Sequence, residues 1–485
     1  MKQLFSAIWV GMLLFSAGSN IAQNYQAIQG SSYAGSLGVH DNPATIVNTP
    51  FKWDVTLFGA QVKSSTNAFT IHDYSILSSP AKSRYEVNSG EYSRYAKLNA
   101  NINLFNARIA FGRRKAIAFG VNFKSYSNLS TSNYNYSDTV KNTGDFFKIN
   151  QDNNNFSGNF LSSSWFEFYG SYAATITDDG RGRLNGGITL KLSRGISGAY
   201  LKLNNLQYSN SVQNNTILYD ISGANFQYGY SSNYDRWLKG NTSNQNVNNF
   251  LAFTEGGAAI DAGLEYIVKS QDPTSYGDNE SYFDYDWKFG LSFLDIGGNQ
   301  YKYGIQSRYA INVKANINNL VLDQKFDSTI KSVKTFNDSL NTVIGQLGAP
   351  AGKFTILNPM RIVINADRYI ADAFYINASL SINIPTSFLK KYLAVKELNF
   401  ISVTPRWETK RLGFYLPITI NNENQFWIGG AVKLGPLLFG IHNWANIFSK
   451  TRMQNGGGYI ALTFRAPGNT GSRSDKTLNC PKAVW

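Results

Sequence analysis

Cysteine is almost missing. The 485-residue chain has one, Cys480, close to its end, so no internal disulfide framework can hold the fold. Long apolar runs are missing as well: after the first two dozen residues nothing approaches the ~20 consecutive apolar residues of a membrane-spanning helix. Charged residues make up only 16% of the chain, and its three histidines, His40, His72 and His442, stand apart with no pair at metal-ligand spacing. The glycine runs Gly186-Gly187, Gly297-Gly298 and 456–458 lack a following Lys-Ser/Thr, and no Gly-x-Ser-x-Gly elbow occurs. A disulfide scaffold and a helical membrane protein are thereby excluded, and no enzyme, metal or cofactor is expected.

Aromatic residues are abundant, at 14% with 29 Tyr and 32 Phe, while the mean hydropathy is only -0.27. Apolar side chains are therefore spread thinly, and the spreading has a period. Across 374–384 one face carries Phe374, Ile376, Ala378, Leu380, Ile382 and Ile384 and the other Tyr375, Asn377, Ser379, Ser381 and Asn383. Leu98, Ala100, Ile102 and Leu104 alternate with Asn99, Asn101 and Asn103 in the same way. Strands with one greasy and one small polar face fit lipid outside and water or hydrogen-bonding side chains inside.

The spacing of turns orders these strands. The triplet Arg113, Arg114, Lys115 and the run 178–182 read as tight turns, while 131–160 and 208–255 read as long polar loops. Five strands precede residue 208. Nine more fall near 256–269, 284–297, 306–320, 356–369, 373–384, 396–408, 411–420, 425–434 and 456–466. The expectation is an all-β, transmembrane antiparallel β-barrel of about fourteen strands, with an N-terminal plug segment, one or two short helices and both ends in the periplasm. Residues 1–22 read as a cleaved signal peptide, with Lys2 before the apolar stretch 8–15, and place the chain in a Gram-negative outer membrane. Residues 23–52 form the plug, 53–466 the barrel and 467–485 a flexible periplasmic tail, where Cys480 before Pro481 is a candidate attachment point.

Two segments have helical period. Between 323 and 348 Phe326, Ile330, Val333, Phe336, Leu340, Val343, Ile344 and Leu347 recur at three and four, and strand parity puts this helix on the periplasmic side. It is either a connector packed on the barrel end or a plug or docking helix. The second, 385–396, begins at Pro385 and suits the inner membrane interface.

The net charge of +14 is scattered along alternating strands rather than gathered on one arm, so no nucleic acid partner is expected. Lys124, Lys191, Lys314, Arg361 and Lys433 fall opposite the apolar faces of their strands. A Lys or Arg facing mid-membrane lipid costs ~2 to 4 kcal/mol, which turns these side chains inward. They either line an open lumen that favours anions or close it by pairing with Glu167, Asp295, Asp367 and Glu408.

Tyr33, Ala34, Gly35, Ser36, Leu37, Gly38, Val39, then Asn42, Pro43, Ala44, Thr45, Ile46 and the stretch 53–59 resemble the opening of an uncharacterised Bacteroidota family of outer-membrane β-barrel proteins. Thr404, Pro405, Arg406, Trp407, Glu408, Tyr415, Leu416, Pro417 and Leu434, Gly435, Pro436, Leu437 resemble its late strands. More distantly, Asn42, Pro43, Ala44 is similar to a tripeptide of FadL-type channels and of some type IX secretion barrels. On the residues alone, Asn42 can equally cap a short helix begun by Pro43. The resemblance implies a location and a fold. For function it leaves a passive channel or transporter for a small polar or amphiphilic solute, or a non-transporting structural or assembly component. Outer-membrane lipid and envelope or secretion-system proteins are the expected partners.

Overall fold

The computed structural model describes residues 25–74, 83–152, 155–213, 215–270, 281–385, 392–445 and 452–466. The signal peptide, the tail with Cys480 and half of the expected helix at 385–396 lie outside the described residues.

Beginning at one end, here the base, β1 (Trp53–Thr66) rises to the rim, where β2 (Phe69–His72) and β3 (Arg84–Val87) form a small hairpin. β4 (Gly90–Ala110) descends, β5 (Lys115–Tyr136) rises, β6 (Asn155–Asp178) descends and β7 (Gly182–Gln213) rises well past the wall. β8 (Thr216–Tyr230) returns along the upper half of β7, and β9 (Gly256–Lys269) pairs with its lower half. β10 (Tyr285–Lys302) rises, and a rim excursion follows that holds β11 (Arg308–Val313) and β12 (Ile344–Gly348). β13 (Lys353–Leu357) and β14 (Arg361–Ala371) descend as one broken strand beside β10, and β15 (Phe374–Asn383) rises. After a short β16 (Leu393–Ala394) come β17 (Phe400–Glu408), β18 (Leu412–Tyr415) with β19 (Ile418–Asn421), β20 (Phe426–Ile428) with β21 (Gly430–Leu434), β22 (Leu437–Ile441) and β23 (Asn455–Arg465). β23 closes on β1, with Ile460 opposite Ala60. With the broken strands counted once, the wall is a closed antiparallel barrel of 14 strands.

The alternation in the sequence becomes the two faces of this wall. On β15, Phe374, Ile376 and Ile382 are exposed outside while Asn377, Ser379 and Ser381 are buried inside. Phe168, Leu190, Phe289, Ile364 and Phe439 continue the outer apolar band around the barrel. Trp53, Tyr172, Tyr266 and Trp287 lie at its base edge, where amphipathic rings suit a membrane interface.

Several expectations are corrected. The segment 306–320 is no wall strand: its β11 pairs with β8 and β12 in the rim excursion. The wall strand that sequence reading passed over is β22. These two errors cancel in the count but invert parity between them, so the 323–348 helix, assigned to the periplasmic side, belongs to the rim. It is two helices and a strand, α3 (Asn319–Lys325), α4 (Val333–Val343) and β12, with α1 (Thr143–Ile149) and α2 (Ser243–Leu251) in earlier excursions. A capping box at Ser332 and Thr335 starts α4. The described part of 385–396 is not helical and lies at the rim, not the inner interface. Both "loops" at 131–160 and 208–255 contain long strand extensions: above the lipid no apolar face is required, so the alternation fades while the pairing continues.

Candidate functional site in the bore

Alternation along β5, β6, β7 and β9 turns Lys124, Glu167, Lys191 and Asp261 inward together. Asp295 is the meeting point. It sits where the β9–β10 register shifts between Phe293 and Ile296, with φ 58°, a left-handed backbone that Asp tolerates better than most residues. Its carboxylate accepts from Lys124 Nζ at 3.0 Å and from Lys191 Nζ at 2.7 Å, with Arg361 at 4.0 Å. Lys124 also reaches Glu167 at 3.1 Å, and Lys191 reaches Asp261 at 2.7 Å. Arg361 pairs with Glu397 at 3.0 Å, and Lys63 lies 3.7 Å from the same carboxylate. Lys124–Glu167, Lys191–Asp261 and Arg361–Asp295 join neighbouring wall strands, whereas Lys124 and Lys191 reach Asp295 past intervening strands and Glu397, which lies in no wall strand, links Arg361 to Lys63 of β1.

A second cluster lies nearer the base. The Arg406 guanidinium donates to both Asp367 oxygens, at 2.6 and 3.1 Å, and to Glu408 at 3.1 Å; Lys433 Nζ donates to Glu408 at 2.8 Å. Tyr285 and Tyr415 hydroxyls complete it on Asp367 and Glu408. Removing one partner of such a buried pair typically costs about 3 to 5 kcal/mol, because the other charge stays buried.

Residues 25–52 lie within the bore as three short 3-10 turns, Gln26–Ile28, Gly35–His40 and Pro43–Val47, none paired to the wall as a strand. Polar contacts tie the segment all round: Gln29 to Ser379, Ser31 to Glu408, the Ser36 amide to Asp54, the Asp41 carbonyl to Ser292 and Asn48 to Arg183. Its apolar side chains rest on small inner residues, Ile28 and Leu37 near Ala431 and Ala461, Val39 and Ile46 near Ala116 and Ala118. Gly187 and Gly263 leave room for it: a Cβ on either would run into Asn42 or Pro43. A cavity of about 20 Å³, room for one water, remains between Gly30, Asp41 and Asn42 of the segment and Glu265, Lys288 and Ser292 of the wall. In this segment, outside the spanning strands, burial pushes the Asp41 carboxyl up to about 7 against the pull of Arg361.

On the rim side residues 392–399 fold inward. Val395, Glu397 and Leu398 are buried, and the Lys396 backbone exchanges hydrogen bonds with the Asn128 side chain of β5, at 2.7 and 2.9 Å, across the bore from β15. Beneath lies an aromatic layer in which Tyr126 stacks on Trp165 at 5.6 Å, beside Tyr200, Tyr301 and Phe354.

Of the residues singled out by sequence, Lys124, Lys191 and Arg361 meet at Asp295, and Lys433 joins the lower cluster. Lys314 does not enter the bore. It is exposed in the rim excursion, where its Nζ donates to the Asn341 carbonyl at 2.8 Å, because the strand it was assigned to leaves the wall. Nor is the bore a bare basic surface that favours anions, since Lys124, Lys191, Arg361 and Lys433 each have an acidic partner. Asn42 caps the turn begun by Pro43, its Oδ1 accepting from the Ala44 amide at 2.9 Å, while its Nδ2 donates to the Leu264 carbonyl of β9. Sequence reading missed Lys63, Asp261, Lys288 and Glu397. The first three were accessible through strand parity; Glu397 was not, since it lies in no wall strand. The histidines stay apart: His40 meets Asn106, His72 meets Glu86 and His442 meets Gln61.

A family of unknown function, DUF5723, matches residues 43–442. Among solved structures, the toluene transporter TbuX of Ralstonia pickettii is 10% identical, with 92% of this chain and 98% of that chain covered and a TM-score of 0.41. The toluene transporter TodX of P. putida is 9% identical, with 89% and 94% covered and a TM-score of 0.40. The monoaromatic hydrocarbon channel CymD is 7% identical, with 92% and 96% covered and a TM-score of 0.31. No curated protein matches the sequence.

Proposed function

The chain belongs to the DUF5723 family of unknown function, and we propose that it is an outer-membrane transporter for a small polar or amphiphilic solute, held shut by residues 25–52 acting as a plug. One observation carries this reading: the bore is filled by a separate stretch of chain that shares no strand pairing with the wall. About eight strands make a barrel whose interior side chains fill it, whereas ~16 leave an aqueous channel. A wall of 14 strands is wider than an anchor requires and needs a filler.

Displacing the plug breaks side-chain and backbone hydrogen bonds but no β-ladder. It leaves a wall whose charges remain mutually paired, polar enough for water and without a large excess of one sign. The rim would face the exterior and the base the periplasm. The test is single-channel conductance in planar bilayers for the full chain and for a chain lacking residues 25–52. The full chain is expected to be silent and the shortened one to conduct; a correctly inserted shortened barrel that stays silent overturns the transporter reading.

A second reading, a non-transporting assembly component, is favoured by the rim domain. There Phe147, Tyr208, Tyr219, Tyr228, Leu340 and Val343 form a buried apolar core of their own. Affinity purification that recovers an envelope protein through this domain, with no conductance from either chain, would select it.

A further inference from the structure

Between β8 and β9 the chain leaves the wall through a 3-10 turn, Ser232–Arg236, and α2. The location of this excursion is set by contacts. Its Ser231 amide donates to the Gly198 carbonyl at 2.7 Å, Asn233 Nδ2 donates to the Ile196 and Phe250 carbonyls, and the Tyr234 hydroxyl meets Ser197 Oγ. Ser197 pairs with Ser164, whose hydroxyl donates to Ser125 at 2.7 Å. By alternation these serines face outward, one step rimward of the outer apolar residues Phe123 and Phe166. Arg194, which follows Leu190 and Leu192 on the same outer face, donates through Nε to Thr254 at 2.7 Å. Glu255 pairs with Lys353 at 2.8 Å. The excursion therefore stands outside the barrel, where the apolar band ends in a charged collar.

One part of its surface is apolar, beside exposed polar residues such as Lys239, Asn244 and Asn248. Trp237 and Leu238 are each 55% exposed, and Val247 and Leu251, one helical turn apart on α2, are exposed beside them. Phe253 is 83% exposed and has φ 51°, a left-handed backbone rarely adopted by a bulky residue. The patch is held firmly, since Arg236 Nε donates to the Asn249 carbonyl at 2.8 Å and a capping box at Thr242 and Gln245 fixes the start of α2. A strained backbone that holds an aromatic ring away from the protein calls for something outside to receive it.

We infer that residues 232–253 form a foot bedded in the lipid headgroup layer beside the barrel, with Trp237, Leu238, Val247, Leu251 and Phe253 reaching the acyl boundary. Continuity with the outer apolar band selects lipid as the occupant. Exposed Trp237 and Phe253 flanking a short helix that shows Val247 and Leu251 suit a segment at the membrane interface, where aromatic rings are enriched. The foot would fix the tilt and height of the barrel on one flank.

The test uses the full chain in phosphatidylcholine–phosphatidylglycerol vesicles, with Cys480→Ser and a nitroxide on Phe253→Cys or, opposite the apolar side of α2, on Asn249→Cys. The label at 253 is expected to collide with oxygen several-fold more than with a water-soluble nickel chelate, and the label at 249 to show the reverse. Equal chelate access at both sites overturns the foot, and dipolar broadening between labels at 253 overturns it in favour of a second copy of the chain. Independently, the emission lost in Trp237→Phe should be quenched by lipids brominated near the headgroup; quenching by aqueous acrylamide instead also overturns it.

Discussion

Asp295 accepts the Lys191 ammonium at 2.7 Å from a β-bulge on which its own φ is 58°. The same carboxylate takes Lys124 at 3.0 Å, so one side chain on a distorted strand holds two lysines from β5 and β7. The bulge turns the carboxylate toward the lattice, and the lattice in turn keeps the bulge.

Asp295→Asn should therefore lower barrel stability by about 3 to 5 kcal/mol, the usual cost of leaving buried charges short of a partner. Urea unfolding of vesicle-inserted protein, followed by tryptophan emission, measures it. Asp295→Gly relieves the backbone yet loses the carboxylate, and should fall by a similar amount. If glycine were instead neutral, backbone geometry and not charge would be the role of this position.

Gly187→Val should open the bore without shortening the chain. A Cβ at this position meets Pro43, and the wall there is a β-ladder while the plug is not, so the plug is the part that moves. Conductance should appear in planar bilayers, whereas Lys314→Glu, far from the bore on the exposed rim, should leave the silent state untouched. Conductance that rises equally in both would sink the plug assignment.

How much of this was legible in the sequence varies with what each strand faces. β15 reads cleanly because lipid lies on one side and Asn377, Ser379 and Ser381 on the other. β22 does not: Leu438 faces inward and is apolar because it packs with Ile28 and Leu37 of the N-terminal segment, so the strand is greasy on both faces and loses its period. Conversely, β11 alternates convincingly, yet its buried Ala310 serves the rim core and not the bore. Inward lysines were recoverable from parity alone. Glu167, Asp295 and Glu408 were recoverable as a set of inward carboxylates, but which cation each one meets was not, since no rule of local spacing relates Lys124 to Asp295, or Arg361 to Glu397 outside the wall strands.

Plug docking should weaken as pH rises. Burial raises the Asp41 carboxyl to about 7, so the docked plug binds a proton that the undocked chain releases at its ordinary, lower value. The stabilisation is fully present below the ordinary carboxylate range and is lost as pH climbs through about 7. Hydrogen exchange of residues 36–47 should thus be faster at pH 8 than at pH 6 after correction for intrinsic rates, and Asp41→Asn should flatten the difference. An unchanged difference in that variant would assign the effect elsewhere.

The rim domain should melt without the barrel. Phe147 is buried there, its ring 4.3 Å from that of Tyr208 and 5.9 Å from that of Tyr219, and α1 packs against the rimward parts of β5 and β8. Phe147→Ala removes a core aromatic at about 3 to 5 kcal/mol, a large share of what so small a unit holds. Because the bore lattice and the β1–β23 closure are distant from it, the loss should stay local. Limited proteolysis should cut within 137–152 and 314–343 in the variant, while the barrel keeps its compact, heat-modifiable mobility on gels. Loss of that mobility together with rim cleavage would mean that the two parts fold as one unit, and that the apolar core above the membrane contributes to the stability of the wall below it.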